Sequence, residues 1–92
     1  MKKAYLKNVQ ISGGLFSNES SIRVTDYQGD EYSGFFQNTH IQKGMLEGMV
    51  LDKKDNLVLF RLPGRLLEGK ASAGSGNTIT VYEKDIVFSD EN

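Results

Sequence analysis

The residues most suggestive of chemistry in this 92-residue sequence form a glycine-punctuated run, GRLLEGKA, at positions 64–71. The run matches a phosphate-binding P-loop except at its eighth position, where Mg²⁺ coordination needs a hydroxyl and the chain has Ala71. Lys70 would also have to open a long helix whose N-terminus holds the phosphates, but the sequence ASAGSGN follows it. We therefore interpret the run as a loop rather than as a nucleotide site.

The single histidine, His40, is a second candidate for catalysis. A general base needs a nucleophile and an orienting partner within hydrogen-bond reach. The neighbouring Thr39 and Gln42 do not supply such a pair. We expect His40 to be a surface loop residue and neither a catalytic base nor a metal ligand.

The carboxylates form small clusters, in DYQGDE at 26–31 and in DKKDN at 52–56, and neither has the register of a calcium loop. Turn formation and solubility account for them. The sequence has no cysteine, which excludes disulfides, thiolate chemistry and cysteine-based zinc sites. Since no set of nucleophile, base and orienting group can be named, we predict that the chain is not an enzyme and has no catalytic residue, metal or cofactor.

The charge balance narrows the choice of partner. Eleven basic and twelve acidic residues give a net charge of −1, which predicts solubility and no strong attraction to nucleic acid or to an anionic membrane. The N-terminal MKKAYLKN has no apolar stretch after its lysines, so it does not resemble a signal peptide, and no apolar run is long enough to cross a bilayer. The expected location is the cytoplasm.

The elements that would position these residues are short strands with period-two alternation. In AYLKNVQI, Tyr5 to Ile11 alternate as one half-buried strand, and the following LFSNE reads as a loop that tucks Leu15 and Phe16 back onto the domain. The strongest hairpin signal pairs SSIRVTDY with EYSGFF around a tight turn in which Gly29 has a positive φ.

The second strand of that hairpin contains a glycine and two adjacent phenylalanines that constrain its structure. Gly34, inside the second strand, indicates a bulge or a close backbone approach. Phe35 and Phe36 must point to opposite faces, so one ring is expected in the core and the other outside it.

The second half of the chain continues in the same way. QNTHIQKG is expected to form a single helical turn capped by Asn38 or Thr39, and MLEGMVLD, NLVLFRLP and TITVY are strands. RLLEG is expected to make one helical turn that Gly69 ends, and residues 71–77, ASAGSGN, to form a mobile loop. The predicted core consists of aliphatic residues at alternating strand positions: Ile22, Val24, Val50, Leu59, Ile79 and Val81.

About six short strands without a long helix predict an all-β fold. The meander IRVTDYQGDEYSGFF, MLEGMVLD, NLVLFRLP and the terminal TITVYEKDIVF, which passes into a 3₁₀-like turn, resemble a small SH3-like barrel. EYSGFF and LVLFRLP are also similar to small bacterial proteins of unknown function. An OB-like barrel is the alternative, although the connector QNTHIQKG is short for its usual helix. Residues 1–88 are expected to form the single domain and 89–92 a disordered acidic tail.

The predicted function is binding rather than catalysis. Small barrels expose edge strands that accept a strand from a protein partner or from a second copy, and we expect an interaction of this kind. The candidate surface combines aromatic and basic side chains: Tyr27, Tyr32, Phe35, Arg61, Arg65 and Lys70. Tyr27 and Tyr32 flank the tight turn and are expected to pair across the hairpin. The alternative is a nucleic-acid-binding barrel of the KOW, Tudor or Sm-like kind, for which the charge is unfavourable.

Overall fold

The computed structural model describes residues 2–69 and 76–89 and confirms the all-β fold class. Strands account for most of these residues, and the two helices are single 3₁₀ turns at Asn38–His40 and Glu83–Asp85. The strands are β1 (Lys2–Leu6), β2 (Val9–Gly13), β3 (Glu19–Thr25), β4 (Glu31–Gln37), β5 (Ile41–Gln42), β6 (Met45–Lys54), β7 (Leu57–Arg61), β8 (Glu68–Gly69), β9 (Thr78–Tyr82) and β10 (Ile86–Phe88).

The strands form two antiparallel sheets, so the small β domain is not a closed barrel in the part of the chain described here. One sheet, sheet A, has the order β10-β1-β6-β7-β9, with β5 also paired to β6. The other, sheet B, has the order β2-β3-β4-β8. The strand count exceeds the predicted six because several strands have only two or three residues and because the first predicted strand is divided.

That division is a correction to the sequence analysis. AYLKNVQI does not form one strand, because the chain leaves sheet A after Leu6 and enters sheet B at Val9. The Lys7 amide donates to the carbonyl of Asp85, 2.8 Å away, which extends the register of β1 with β10 by one pair before the chain leaves sheet A. Ala4 and Leu6 are the buried residues of β1.

The core lies between the inner faces of the two sheets. Four of the six predicted core residues are buried, namely Ile22, Val24, Ile79 and Val81, and Val50 packs against the cluster while partly exposed. Leu59 was predicted in the core but is 37% exposed. The inward positions of β7 are Val58 and Phe60, and side chains alternate along a strand, so Leu59 must face outward.

The hairpin of β3 and β4 has the predicted turn, with Gly29 at a φ of 87°. Its register runs without interruption past Gly34, so Gly34 marks a close approach and not a bulge. A Cβ there would lie 2.6 Å from the backbone oxygen of Arg65. The register shift in the fold lies instead between Val50 and Asp52, where β6 pairs with β7.

The prediction for the connector after β4 is partly confirmed, and the prediction for RLLEG is wrong. The predicted turn after β4 is present at Asn38–His40, but Gln37 occupies its N-cap position and no side chain caps it. The expected helical turn in RLLEG is absent, because Glu68 and Gly69 form β8 and pair with Ser33 and Tyr32 of β4.

Some expectations fall on residues outside the described ranges. These are the mobility of residues 71–75, the position of Lys70 and the acidic tail from residue 90 onward. Within the described residues, we find no helix with the length and apolar character needed to cross a membrane.

Candidate functional site

The structure distributes the predicted interaction residues over several surfaces. Tyr32 lies in the core with 6% of its surface exposed, and its hydroxyl donates to a carboxylate oxygen of Asp26 at 2.9 Å. Tyr27 instead packs edge-on against Tyr82 of β9, with ring centroids 6.4 Å apart. The expected pairing of Tyr27 with Tyr32 across the hairpin is therefore wrong, because Tyr32 turns inward.

Phe35 and Phe36 divide as expected between the two faces of β4. Phe36 is buried in the core, whereas Phe35 lies on the outer face of sheet B with 38% of its surface exposed. Phe35 is directly opposite Ser21 in the ladder, and Ser21 in turn is opposite Ser12. The ring therefore stands beside small polar side chains rather than within an aromatic surface.

The two basic residues of the candidate surface that the structure describes, Arg61 and Arg65, lie on different parts of the molecule. Arg65 is exposed where its backbone crosses Gly34 of sheet B, and Arg61 ends β7 on the outer face of sheet A. The P-loop-like run has no free cradle of amides at its centre. The Leu66 amide donates to the Gly76 carbonyl, and the Leu67 amide donates to the Ser33 carbonyl at 2.8 Å.

Strand β2 is a surface that the sequence analysis missed. It pairs with β3 on one side and, within the described residues, with no strand on the other. Its sequence VQISG contains neither charge nor proline, and its register with β3 shows no bulge. Ile11 is 40% exposed although it stands opposite the fully buried Ile22.

The hydrogen-bond pattern shows which backbone groups of β2 face outward. The Asp26 amide donates to the Asp30 carbonyl, and the Asn38 amide donates to the Asn18 carbonyl. These two pairs extend the register of β3 with β4 at its two ends, so the even-numbered residues of β3 are those whose backbone groups bond to β4. Because backbone groups alternate sides along a strand, the odd-numbered residues of β3 bond to β2. Their partners in the register are Gln10 and Ser12.

The N–H and C=O of Ile11 consequently point away from β3, toward the open edge. The same alternation directs the backbone groups of Gly13 outward. At the start of the strand, the Val9 amide already donates to the Lys7 carbonyl at 2.9 Å. Within the described residues, the backbone groups of Ile11 and Gly13 that face the open edge have no strand partner, and they are of the kind that a further strand would use.

The loop after β2 adds two apolar side chains to this edge. Leu15 and Phe16 are 77% and 69% exposed, so the prediction that they tuck back onto the domain is wrong. The loop backbone turns tightly, since a Cβ at Gly14 would lie 2.7 Å from the carbonyl oxygen of Glu19. The closed turn holds the two side chains at the tip of the hairpin.

Asn38 fixes this loop through both its backbone and its side chain. Its amide donates to Asn18 O at 2.9 Å, and its Nδ2 donates to Ser17 O at 3.3 Å. The Ser20 hydroxyl donates to Asn38 Oδ1 at 2.6 Å. The apolar tip, formed by Leu15 and Phe16, therefore projects from an anchored backbone.

His40 belongs to a small charged cluster on sheet A. Glu47 accepts a hydrogen bond from Lys3 Nζ at 2.7 Å, and its other oxygen lies 3.4 Å from His40 Nδ1. The hydrogen bond from Lys3 is the main cause that lowers the pKa of Glu47; burial opposes it with a weaker effect, and the contact with His40 lowers the pKa further. Among the described residues, no group of three or more acidic or histidine side chains is arranged to hold a metal ion.

Comparisons of the chain with models of protein families, with curated proteins and with solved structures found no match.

Proposed function

We propose that this chain is a non-catalytic, cytoplasmic protein-binding module that takes an extended segment of its partner along β2. The observation that carries the proposal is the outward-facing backbone of Ile11 on an uncharged edge strand. Strand addition of this kind gains affinity from main-chain hydrogen bonds and specificity from alternate side chains. The lack of cysteine fits a reducing compartment.

Natural proteins usually blunt an edge strand with charges, proline, a bulge or a covering segment. In the part of the chain that the structure describes, β2 has none of these devices, and the other outer strands are protected by length or by contacts. β8 has two residues and β10 has three. In β9, the Thr80 carbonyl accepts a hydrogen bond from Tyr27 at 2.9 Å. Among the described strands, β2 is thus the one best able to accept another strand.

The geometry also indicates the chemistry of the partner segment. A residue opposite Ile11 in an added strand would lie on the same face as Ile11 and Ile22, so an apolar side chain is favoured there. Its neighbours would face outward beside Gln10 and Ser12, where polar side chains are favoured. Leu15 and Phe16 at the end of β2 would enter an apolar depression of the partner and bury area that is now exposed.

The residues of this site favour binding over catalysis. Val9 to Phe16 contain amide, hydroxyl and apolar side chains but no acid, histidine or lysine that could act as a base. The Ser12 hydroxyl therefore has no activating partner within the segment. A site of this composition recognises backbone and apolar side chains.

Affinity capture from the native host with matched bait variants tests the proposal. Ile11→Lys places a charge on the β2 edge, whereas Val87→Lys introduces the same charge at a residue of β10 with nearly equal exposure, 38% against 40%. We expect the wild type and Val87→Lys to recover the same protein and Ile11→Lys to lose it. Thermal melts of all three baits establish that each is folded.

Recovery of the protein by Ile11→Lys as well as by the wild type would overturn the proposal, as would failure of the wild type to recover any protein or to self-associate. Sedimentation of the pure wild type and of Ile11→Lys distinguishes a partner protein from a second copy of this chain as the source of the strand added to β2. If the wild type forms a dimer that Ile11→Lys does not form, the added strand comes from a second copy.

A further inference from the structure

A shallow pocket lies on the outer face of sheet A, on a different sheet from β2. Its volume is about 230 Å³. Met49 and Pro63 supply apolar surface above the buried Leu62, and Arg61 and Lys3 supply cationic side chains. The site does not depend on the function proposed for β2.

The strand register explains why these residues meet. Lys3 is opposite Met49 in the ladder of β1 and β6, and Met49 is opposite Arg61 in the ladder of β6 and β7. The three side chains thus form one row across the sheet, with Met49 between the two cations. β7 ends at Arg61, and Pro63 then turns the chain to form an apolar wall.

The charges in the pocket are not balanced. Lys3 forms an ion pair with Glu47, which also contacts His40. Within the described residues, no carboxylate forms an ion pair with the Arg61 guanidinium, although Glu47 lines the same pocket. With Lys3 and Glu47 neutralising each other, the pocket keeps one positive charge at Arg61.

A guanidinium beside an apolar surface selects for a particular kind of ligand. Its planar, two-pronged donor set matches a carboxylate, with which it forms short charge-assisted hydrogen bonds. Met49 and Pro63 favour an apolar group next to that carboxylate. The volume is below the roughly 300–1,000 Å³ of pockets for drug-sized ligands, so the ligand portion that fits is about one amino-acid residue in size.

We propose that this pocket binds a carboxylate attached to a small apolar group, with the carboxylate on Arg61 and the apolar group on Met49 and Pro63. Such a group occurs in two kinds of ligand, the C-terminal residue of a polypeptide and a free small carboxylic acid. Because Glu47 neutralises Lys3, we expect no second carboxylate to bind on the Lys3 side of Met49.

Titration of the ¹⁵N-labelled protein with N-acetyl-leucine, monitored by NMR, tests the proposal. We expect saturable shifts of the amides of Gly48, Met49 and Leu62. N-acetyl-leucinamide lacks the charge and acetate lacks the apolar group, so each should bind at least about tenfold more weakly, a change worth about 1.4 kcal/mol. A peptide ending in leucine with a free carboxylate distinguishes the sources: tighter binding than N-acetyl-leucine indicates a polypeptide terminus, and equal binding indicates a small acid.

Two arginine variants complete the experiment. Arg61→Gln removes the guanidinium at the exposed end of β7 and should weaken N-acetyl-leucine at least about tenfold. Arg23→Gln removes a guanidinium on the outer face of sheet B, where it contacts Gln10 at 3.4 Å, and should leave binding unchanged. Absence of saturable shifts, equal binding of the amide, or unchanged binding by a folded Arg61→Gln would overturn the proposal.

Discussion

Two outer strands of equal length, β2 in sheet B and β9 in sheet A, have opposite surroundings. Each has five residues and, among the strands that the structure describes, a single ladder neighbour. In β9, Ile79 and Val81 are buried in the core, whereas Ile11 of β2 remains 40% exposed. The difference shows that a strand at the end of a sheet is not necessarily an available edge, because contacts from other parts of the chain decide whether it is covered.

The clearest way to test this comparison is to make the same deletion in both strands. Ile79→Ala removes a core side chain and should lower the free energy of unfolding by about 2–4 kcal/mol. Ile11→Ala removes a side chain that is partly in solvent, and we expect a loss of about 1 kcal/mol or less. Chemical denaturation of the two variants and the wild type measures both values. Equal losses would mean that β2 is as well covered as β9.

Glycine substitutions offer a second test with a smaller expected effect. A Cβ at Gly48 would collide with Arg61 O and the Phe60 ring, whereas one at Gly13 of β2 would meet no atom within 4 Å. Gly48→Ala should therefore destabilise the domain by about 1–3 kcal/mol. Gly13→Ala should be neutral or stabilising by up to about 1 kcal/mol, through the unfolded state. A destabilised Gly13→Ala variant would show that a segment covers β2.

The pH dependence of stability gives a third test, with the smallest expected effect. β2 has no titratable side chain, whereas sheet A contains Glu47. The folded-state pKa of Glu47 lies below its ordinary value of 4.5, so its contribution to stability is present above that value. The contribution is lost as the pH falls through the folded pKa.

Denaturation midpoints between pH 7 and about 3 should therefore decline more for the wild type than for Glu47→Gln. Glu83→Gln, which removes the carboxylate paired with Lys53, is a suitable control for the loss of one ion pair on the same sheet. If Glu47→Gln kept the full acid dependence of the wild type, the hydrogen bond from Lys3 would contribute nothing to it.

The sequence predicted those elements whose signals are local. Gly29 in a tight turn between two alternating segments was enough to predict the hairpin of β3 and β4, and Phe35 and Phe36 had to divide between faces whatever the remaining fold. The inward positions Ile22, Val24, Ile79 and Val81 followed from the same alternation.

The remaining features depend on contacts that the sequence does not display. Alternation in β7 is compatible with either face being inward, so the placement of Leu59 required knowledge of the sheet that covers it. β8 pairs with a strand more than thirty positions away, and nothing in RLLEG indicates that partner. The open edge of β2 was hidden because AYLKNVQI reads as one strand, although its two halves belong to different sheets.

The central claim is that the backbone of Ile11 is available to a partner strand, and amide hydrogen exchange along β2 measures this directly. In the free protein, the amides of Gln10 and Ser12 should be protected by their bonds to β3, and the Ile11 amide should exchange rapidly. In the complex purified with the wild-type bait, exchange at Ile11 should slow by at least about tenfold while Gln10 and Ser12 stay protected. An Ile11 amide that is already protected in the free protein, or that still exchanges rapidly in the complex, would contradict the account.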